Sequence, residues 1–212
     1  MLDLLPPILV PERGERLPRD AYRRDFRVRD AVLRHADSWK LERRQHFEEQ
    51  GSPSRDALRR GEWEKALRLL GERRDALRAA AQEDERKEHR FHRVRVIEKP
   101  LTPYVHWELY SHRQRAEYGE RIRVVTAEQV ASAERECPLP EIVVLGRSTL
   151  FQVLYQILYT ETGAAAGAVR YTGHDLVSGW ANYIRTLYEA GEDVRTYFER
   201  EVAHLPPPQP PL

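Results

Sequence analysis

A strand–helix–strand pattern in the middle of the chain most constrains the fold. VRVI at 94–97 is rich in β-branched residues, and RIRVV at 121–125 alternates apolar with basic residues. Between them, Thr102 and Pro103 supply a hydroxyl cap and a proline for the first helical turn. Gly119 is a natural residue just beyond a helix end. This order favours a parallel strand pair joined by a right-handed crossover.

Closely spaced β-rich runs follow this block and extend the predicted sheet. Thr126 can cap a short helix that ends near Glu136. EIVVL and TLFQVLYQILY then indicate two or three strands around the Gly146-Arg147 turn, and AVRYT indicates a last strand, with antiparallel pairing. An amphipathic helix closed by Gly191 and a final helical piece complete the chain. From Phe91 onward the sequence therefore predicts β-α-β-α-β-β-β-α, an α/β (α+β) mixed sheet with helices packed on it.

The segment before residue 91 is more charged and mostly helical in pattern. Residues 19–36 predict one helix, and the following SWKLERRQHF suits either a strand or a short helix. Ser52 can cap the next helical stretch, with Pro53 in its first turn. Glycines interrupt this stretch, which continues to about Glu88.

These patterns divide the chain into four predicted segments. They are an extended Pro-rich arm at 1–18, a helical charged region at 19–90, a mixed-sheet α/β domain at 91–204 and a disordered Pro-rich tail at 205–212. The helix predicted at 103–118 carries two apolar stripes, and one helix cannot bury both against a single sheet. We therefore expect the front half to pack on that helix as an N-terminal helical layer, which makes one structural unit.

Composition argues against several classes of function. The chain has 35 basic and 34 acidic residues and a net charge of +1, so it lacks the basic excess of a general nucleic-acid binder. DNA binding through the Arg-rich front half stays an alternative, but we expect nucleic acid to be engaged only indirectly. The lone Cys137 cannot form an internal disulfide, and no apolar run approaches the ~18 residues of a membrane span. We expect a cytoplasmic protein that does not enter a membrane.

No sequence motif points to a catalytic, metal or cofactor site. His89 and His92 have a spacing that could share a metal on a helix, but no third ligand is near and zinc takes three or four. Ser148 lacks the G-x-S-x-G context of a nucleophilic serine, and nothing local would activate Cys137. We therefore expect no catalytic residue, no metal and no cofactor.

Aromatic and charged residues on the helix at 103–118 form the candidate binding site. Tyr104 and Trp107 are three apart, with Glu108 beside them. If these side chains face the sheet, they belong to the core. If they face outward, they form a surface for a partner, because Tyr, Trp and Arg are enriched at the centres of protein interfaces. A buried Glu108 should pair with an arginine, because an unpaired buried charge is costly. The candidate partners are Arg121, Arg123 and Arg43.

A family resemblance accompanies these residues. The run RVRVIEKPLTPYVHWELYSHRQRAEYGERIRVV closely resembles a group of actinobacterial proteins known only as a domain of unknown function. SWKLERRQHF and EIVVLGRSTLFQVLY extend the resemblance over roughly residues 38–200. Its matched positions are Pro103, Tyr104, Trp107, Glu108, Gly119, Glu120 and Arg121. We expect Tyr104, Trp107, Glu108 and Arg121, together with Arg43, to be the binding residues.

The resemblance implies a regulatory role. Members of the group are often encoded beside helix-turn-helix regulators, so we expect a non-enzymatic regulatory or protein-interaction protein that acts with a partner such as a transcriptional regulator. Self-association into a homo-oligomer is compatible with this role. The strand order is also similar to one half of the phospholipase D-like fold, whose active site needs an HxK…D signature, and the chain has no HxK. The alternative is a phosphodiesterase or nuclease relative of that class, degenerate or with an unrecognised active site.

Overall fold

Eight strands and eight helices make up the part of the chain that the computed structural model describes, residues 4–146 and 152–208. The strands are β1 (Glu15–Pro18), β2 (Ala36–Glu42), β3 (His89–Ile97), β4 (Arg121–Thr126), β5 (Ile142–Leu145), β6 (Val153–Tyr159), β7 (Ala165–Tyr171) and β8 (Glu192–Asp193). The helices are α1 (Arg19–Val32), α2 (Pro53–Arg59), α3 (Trp63–Gly71), α4 (Arg74–Lys87), α5 (Pro103–Glu117), α6 (Ala127–Val130), α7 (His174–Ala190) and α8 (Val194–Glu201).

All eight strands form one mixed sheet in the order β1-β7-β6-β5-β2-β3-β4-β8. β2, β3 and β4 run parallel, and α5 connects the last two of them, as the strand–helix–strand pattern predicts. β5, β6 and β7 form an antiparallel extension on the other side of β2. The predicted mixed-sheet α/β fold class is therefore confirmed.

The local signals around α5 act as the sequence predicts. Thr102 Oγ1 accepts a hydrogen bond from the Val105 amide at 3.1 Å, and Pro103 occupies the first helical position. Gly119 has a φ of +97°, a left-handed conformation that suits the turn after the helix. These two ends place the helix directly between the parallel strands β3 and β4.

The segment 19–90 is not helical throughout, which corrects the prediction for that region. The first helix ends at Val32 and not at residue 36, and Ala36 begins β2 in the middle of the sheet. Trp39 and Leu41 pack on one face, while Glu42 is buried on the other because it pairs with basic residues there. The side chains of β2 alternate between the two faces of the sheet, as is usual for a strand. β2 pairs with β3 across the predicted boundary at residue 90.

The end of the Pro-rich arm docks on the sheet as an extended strand. After a 3-10 turn at Pro11–Arg13, β1 pairs antiparallel with β7. Gly167 lies opposite Pro18 in this pairing, and a Cβ at Gly167 would collide with the Leu17 carbonyl oxygen. The absence of a side chain there lets the arm join the sheet as an edge strand. Residues 209–212 of the predicted tail and Arg147 of the predicted turn lie outside the described residues, as does Ser148.

Helices cover both faces of the sheet. Trp180 and Ile184 of α7 pack against the apolar side chains of β2 to β6 that include Leu154. The next residue along β6, Tyr155, points to the opposite face, where α1 covers it through Tyr22. None of the helices in the described residues is both long and apolar enough to cross a bilayer.

The front half packs on the outer side of α5, which confirms the expected helical layer. Trp107 Nε1 donates to Ser54 Oγ of α2 at 2.9 Å, and the Trp63 ring of α3 lies 5.4 Å from that of Tyr110. Phe198 of α8 contacts the same Tyr110 ring edge-on at 4.7 Å. The division of the chain into four segments itself stays a prediction.

Candidate functional site

Charged side chains fill the space between α5 and the sheet. We call this group the α5 charge network, and its members are Glu42, Arg93, Arg95, Glu108, His112 and Glu120. β2 and β3 supply the first three, α5 supplies the next two, and the last lies just before β4. All but Glu120 are buried, so the charges of the network must be balanced within the protein.

Arg95 and Glu108 form the centre of the network. Arg95 is 0% exposed and Glu108 is 4% exposed. Arg95 Nε donates to Glu108 Oε2 at 2.7 Å, and Arg95 Nη1 donates to the Val96 carbonyl oxygen at 2.9 Å. The Tyr104 hydroxyl donates to Glu108 Oε1 at 3.0 Å. The carboxylate of α5 therefore has a guanidinium and a phenol as its partners.

Arg93 extends the network to two further carboxylates. Its Nη1 donates to Glu42 Oε2 at 2.7 Å, and its Nε donates to Glu120 Oε1 at 2.8 Å. Burial alone would raise the pKa of Glu42, but Arg93 and Lys40 outweigh it and hold that pKa well below its ordinary value. The same balance of burial against Arg93 and Arg115 lowers the pKa of Glu120 to about 2.

His112 lies between two of these carboxylates. Its Nε2 is 3.6 Å from Glu42 Oε2 and 3.8 Å from Glu108 Oε1, and neither ring nitrogen has a hydrogen-bond partner among the described residues. Ligand atoms of the three residues lie within 4.8 Å of one another, a spacing that a metal ion could use. However, Arg93 and Arg95 already occupy both carboxylates, so a dication would have to displace two guanidinium groups. The charge balance favours the ion pairs.

Glu141 lies beside the network and forms no ion pair with another described residue. Its Oε1 accepts from the backbone amides of Arg43 and Arg44 at 2.8 and 2.6 Å. Its Oε2 is buried and has no hydrogen-bond partner among the described residues. Burial and the nearby Glu42 raise the pKa of Glu141 to about 7. This carboxyl group is therefore partly protonated near neutral pH.

An open groove of about 900 Å³, which we call the α4 groove, lies between α4, the start of β3 and the end of α5. Leu77, Ala80 and Ala81 of α4 line one side, and Phe91 lines the other. Charged residues of both signs surround them, including the exposed Arg121.

Comparison with known proteins places the chain in a family. A family model described as a domain of unknown function (DUF6879) matches residues 28–199 of the 212. The chain belongs to the DUF6879 family. No curated protein and no solved structure matches the chain.

The residues that resemble the family do not form one site in this DUF6879 chain. Tyr104, Trp107 and Glu108 are buried in the core between α5 and its neighbours, and not on an outward surface. Arg43 pairs with Glu134 and Glu98, with Nη2 2.5 Å from Glu98 Oε1. The proposed Glu108 partners Arg43, Arg121 and Arg123 are therefore corrected, because Arg95 fills that role. A binding role for the five residues stays a prediction.

The run that carries the resemblance also contains residues that sequence reasoning missed. Arg93 and Arg95 alternate with buried valines in RVRV, and strand residues two apart share a face. That alternation was the available signal that two arginines point together beneath α5. For the same reason His89 and His92, three apart on a strand, point to opposite faces and cannot share a metal. His89 Nε2 instead bonds Ser38 Oγ at 2.8 Å.

The Arg95–Glu108 pair should be costly to break on one side only. We expect Glu108→Leu to destabilise the fold by about 3–5 kcal/mol, because it leaves a buried guanidinium without its carboxylate. The double variant Arg95→Met/Glu108→Leu should cost less than this single change. The exposed pair Asp75–Arg78 is the control, and Asp75→Ala should cost under about 1 kcal/mol. Urea unfolding measures all three, and a small loss for Glu108→Leu would contradict the assignment.

Glu141 should make stability depend on pH. Its folded pKa of about 7 lies above the ordinary 4.5, so the folded state binds the extra proton and stability falls as pH rises between these values. The full effect is up to about 3 kcal/mol. We expect Glu141→Gln to gain stability relative to wild type at pH 8 compared with pH 5, measured by urea unfolding. The exposed Glu136→Gln should keep the wild-type slope, and an equal slope in both variants would refute the assignment.

Proposed function

We propose that the protein is a non-enzymatic regulatory component of the cytoplasm that binds a protein partner in the α4 groove. The observation that carries the proposal is how little of α4 the protein itself buries. This helix spans 14 residues, all of them described, and none of them is buried. A helix of this length draws most of its stability from tertiary packing of an apolar face. Leu77 and Ala81 are only half-buried by the chain, and a partner that covers them would complete the packing of this helix.

The chemistry of the groove supports a protein partner. Apolar residues, among them Leu77, Ala81 and Phe91, line part of it, and charged residues such as Glu85 and Arg121 line the rest. Protein interfaces commonly combine apolar contacts with polar and charged groups in this way. We propose that the partner presents an amphipathic helix, which fits a groove that already has a helix as one wall.

The resemblance to actinobacterial proteins encoded beside helix-turn-helix regulators supports a transcriptional regulator as this partner. Nucleic acid would then be engaged through the regulator and not by this chain directly. The chain has 35 basic and 34 acidic residues, and this near balance agrees with the absence of direct nucleic-acid binding in the proposal.

Two alanines on α4 give a matched test of the groove. Ala80 and Ala79 are adjacent and both exposed, but only Ala80 lines the groove. We expect Ala80→Arg to weaken binding of a partner co-purified from the native host at least tenfold, because the larger charged side chain enters the contact. Ala79→Arg should bind as wild type does. Calorimetry with the purified partner measures both affinities.

Three results would contradict this proposal. They are the absence of any stoichiometric partner, equal binding by the two variants, and a partner contact that maps to another surface. Concentration-dependent dimerisation that Ala80→Arg abolishes would assign the groove to a second copy of the chain and would replace the regulator by a homo-oligomer.

A second candidate function is a phosphodiesterase or nuclease activity of the phospholipase D-like class, degenerate or with an unrecognised active site. The convergence of Glu42, Glu108 and His112 favours it, because a histidine beside carboxylates can take part in acid–base catalysis. Their burial and their pairing with arginines count against it, since a substrate would have to open the α5 interface.

Hydrolysis of bis(4-nitrophenyl) phosphate tests this second candidate. We expect no turnover by the wild type above that of His112→Gln, because His112 is closed off from solvent. Turnover that is lost in His112→Gln but kept in the control His174→Gln, a change at an exposed histidine, would establish the enzyme instead.

A further inference from the structure

A second cavity, separate from the α4 groove, lies at the other end of α5. It has a volume of about 230 Å³ and is lined by residues that include His46, Arg55, Leu58, Arg59, Trp63 and Tyr104. We call it the Arg55 pocket. His46 follows the end of β2, and Tyr104 follows the end of β3. The pocket thus lies beyond the carboxyl ends of two parallel strands, where ligands of α/β proteins commonly bind.

Arg55 is the unusual residue of this pocket. It is 6% exposed, and its Nε has no hydrogen-bond partner in the described part of the chain. Its ion-pair contact is long, with 4.0 Å between Nη2 and Glu48 Oε2. The guanidinium lies over the Tyr104 ring, 5.3 Å from the ring centre. Burial lowers the pKa of Arg55, and Glu49 and Asp56 favour the cation without supplying the full compensation that its burial requires.

The neighbouring carboxylate cannot supply that compensation. Glu48 also pairs with Arg59 and lies 3.7 Å from His46 Nε2, so one carboxylate serves three basic side chains. Burial, followed by the positive charges of Arg55, Arg44 and Arg59, lowers the pKa of His46. Glu49 and Asp56 also favour the charged form of Arg55, but Glu49 accepts from the Tyr104 hydroxyl and Asp56 pairs with Arg59. No carboxylate among the described residues lines the pocket, so the charged groups on its wall are basic.

The remaining walls of the pocket are apolar. Leu58, Trp63 and the ring of Tyr104 are buried side chains that line it. An anion that fits here would place its charge at Arg55 and a hydrocarbon or aromatic body against these walls. The volume lies below the ~300 Å³ at which pockets for drug-sized ligands begin, so the ligand must be small.

We infer that the Arg55 pocket binds a small organic anion, a carboxylate or phosphate ester with an apolar body. Arg55 pairs with the anionic oxygens, since a planar guanidinium presents several donors in a fixed geometry that matches them. Arg59 and His46 stand beside it, and the aromatic wall holds the apolar part. The site is independent of partner binding in the α4 groove.

Benzoate and phenyl phosphate are suitable probes, with neutral benzamide and inorganic sulfate as controls. We expect one or both organic anions to raise the melting temperature of the full chain and to bind measurably by calorimetry. Benzamide and sulfate should bind at least tenfold more weakly, because each lacks one of the two required features. If sulfate matched the organic anions, or if no probe bound, the inference would be overturned.

Two arginine variants separate ligand binding from a structural role. Arg55→Met keeps the bulk of the side chain and should reduce anion affinity at least tenfold. Its melting temperature without ligand should not fall below that of the wild type, since the change removes an undercompensated buried cation. Arg60→Met is the control, because Arg60 is exposed, pairs with Glu62 and does not line the pocket. It should bind as wild type does. A large drop in the melting temperature of Arg55→Met with unchanged anion affinity would assign Arg55 to structure alone.

Discussion

The ion pair between Arg95 and Glu108 fixes how the central helix lies on the sheet. Both groups are withdrawn from water, and burying them is favourable only when the guanidinium and carboxylate meet with good geometry. A shift of α5 along β3 would separate them and leave two buried charges unpaired. Arg93 repeats this condition by bridging Glu42 of β2 to Glu120 beside β4. The network therefore restricts α5 to one position over three parallel strands.

The fixed position of α5 determines where the protein can be open. The outer side of the helix is covered by α2, α3 and α8, so the described chain leaves no free aromatic surface there. The start of α5, at Pro103 and Tyr104, borders the Arg55 pocket, while its end, at Arg115, borders the α4 groove. Both cavities lie at the ends of the same helix, and its middle is closed by the charge network. Function is more readily assigned to these two ends than to the residues between them.

Local signals predicted much of this fold, and long-range pairing explains what they missed. Thr102, Pro103 and Gly119 act within one turn of the chain, so the ends of α5 could be predicted from sequence alone. The sequence left β2 open between a strand and a short helix, because a main partner of its buried Glu42 is Arg93, which lies 51 residues further along the chain. The same holds for the partner of Glu108, where three arginines were considered and the alternation in RVRV was the one signal for Arg95. The spacing of residues along the chain also does not reveal the Arg55 pocket, which α2 and α3 close against α5.

The buried charges that remain uncompensated differ in what they require. Glu141 can become neutral by keeping a proton, and its pKa of about 7 shows that burial drives it in that direction. An arginine cannot become neutral in this way, because the guanidinium stays protonated in proteins. Arg55 must therefore either remain a cost to the fold or find an anion outside it, since Glu48 is already shared with Arg59. Uncompensated polar groups in an otherwise well-paired structure are expected at functional sites. By this reasoning Arg55 is a stronger indication of a ligand than Arg93 or Arg95 of the charge network, each of which already pairs closely with a carboxylate.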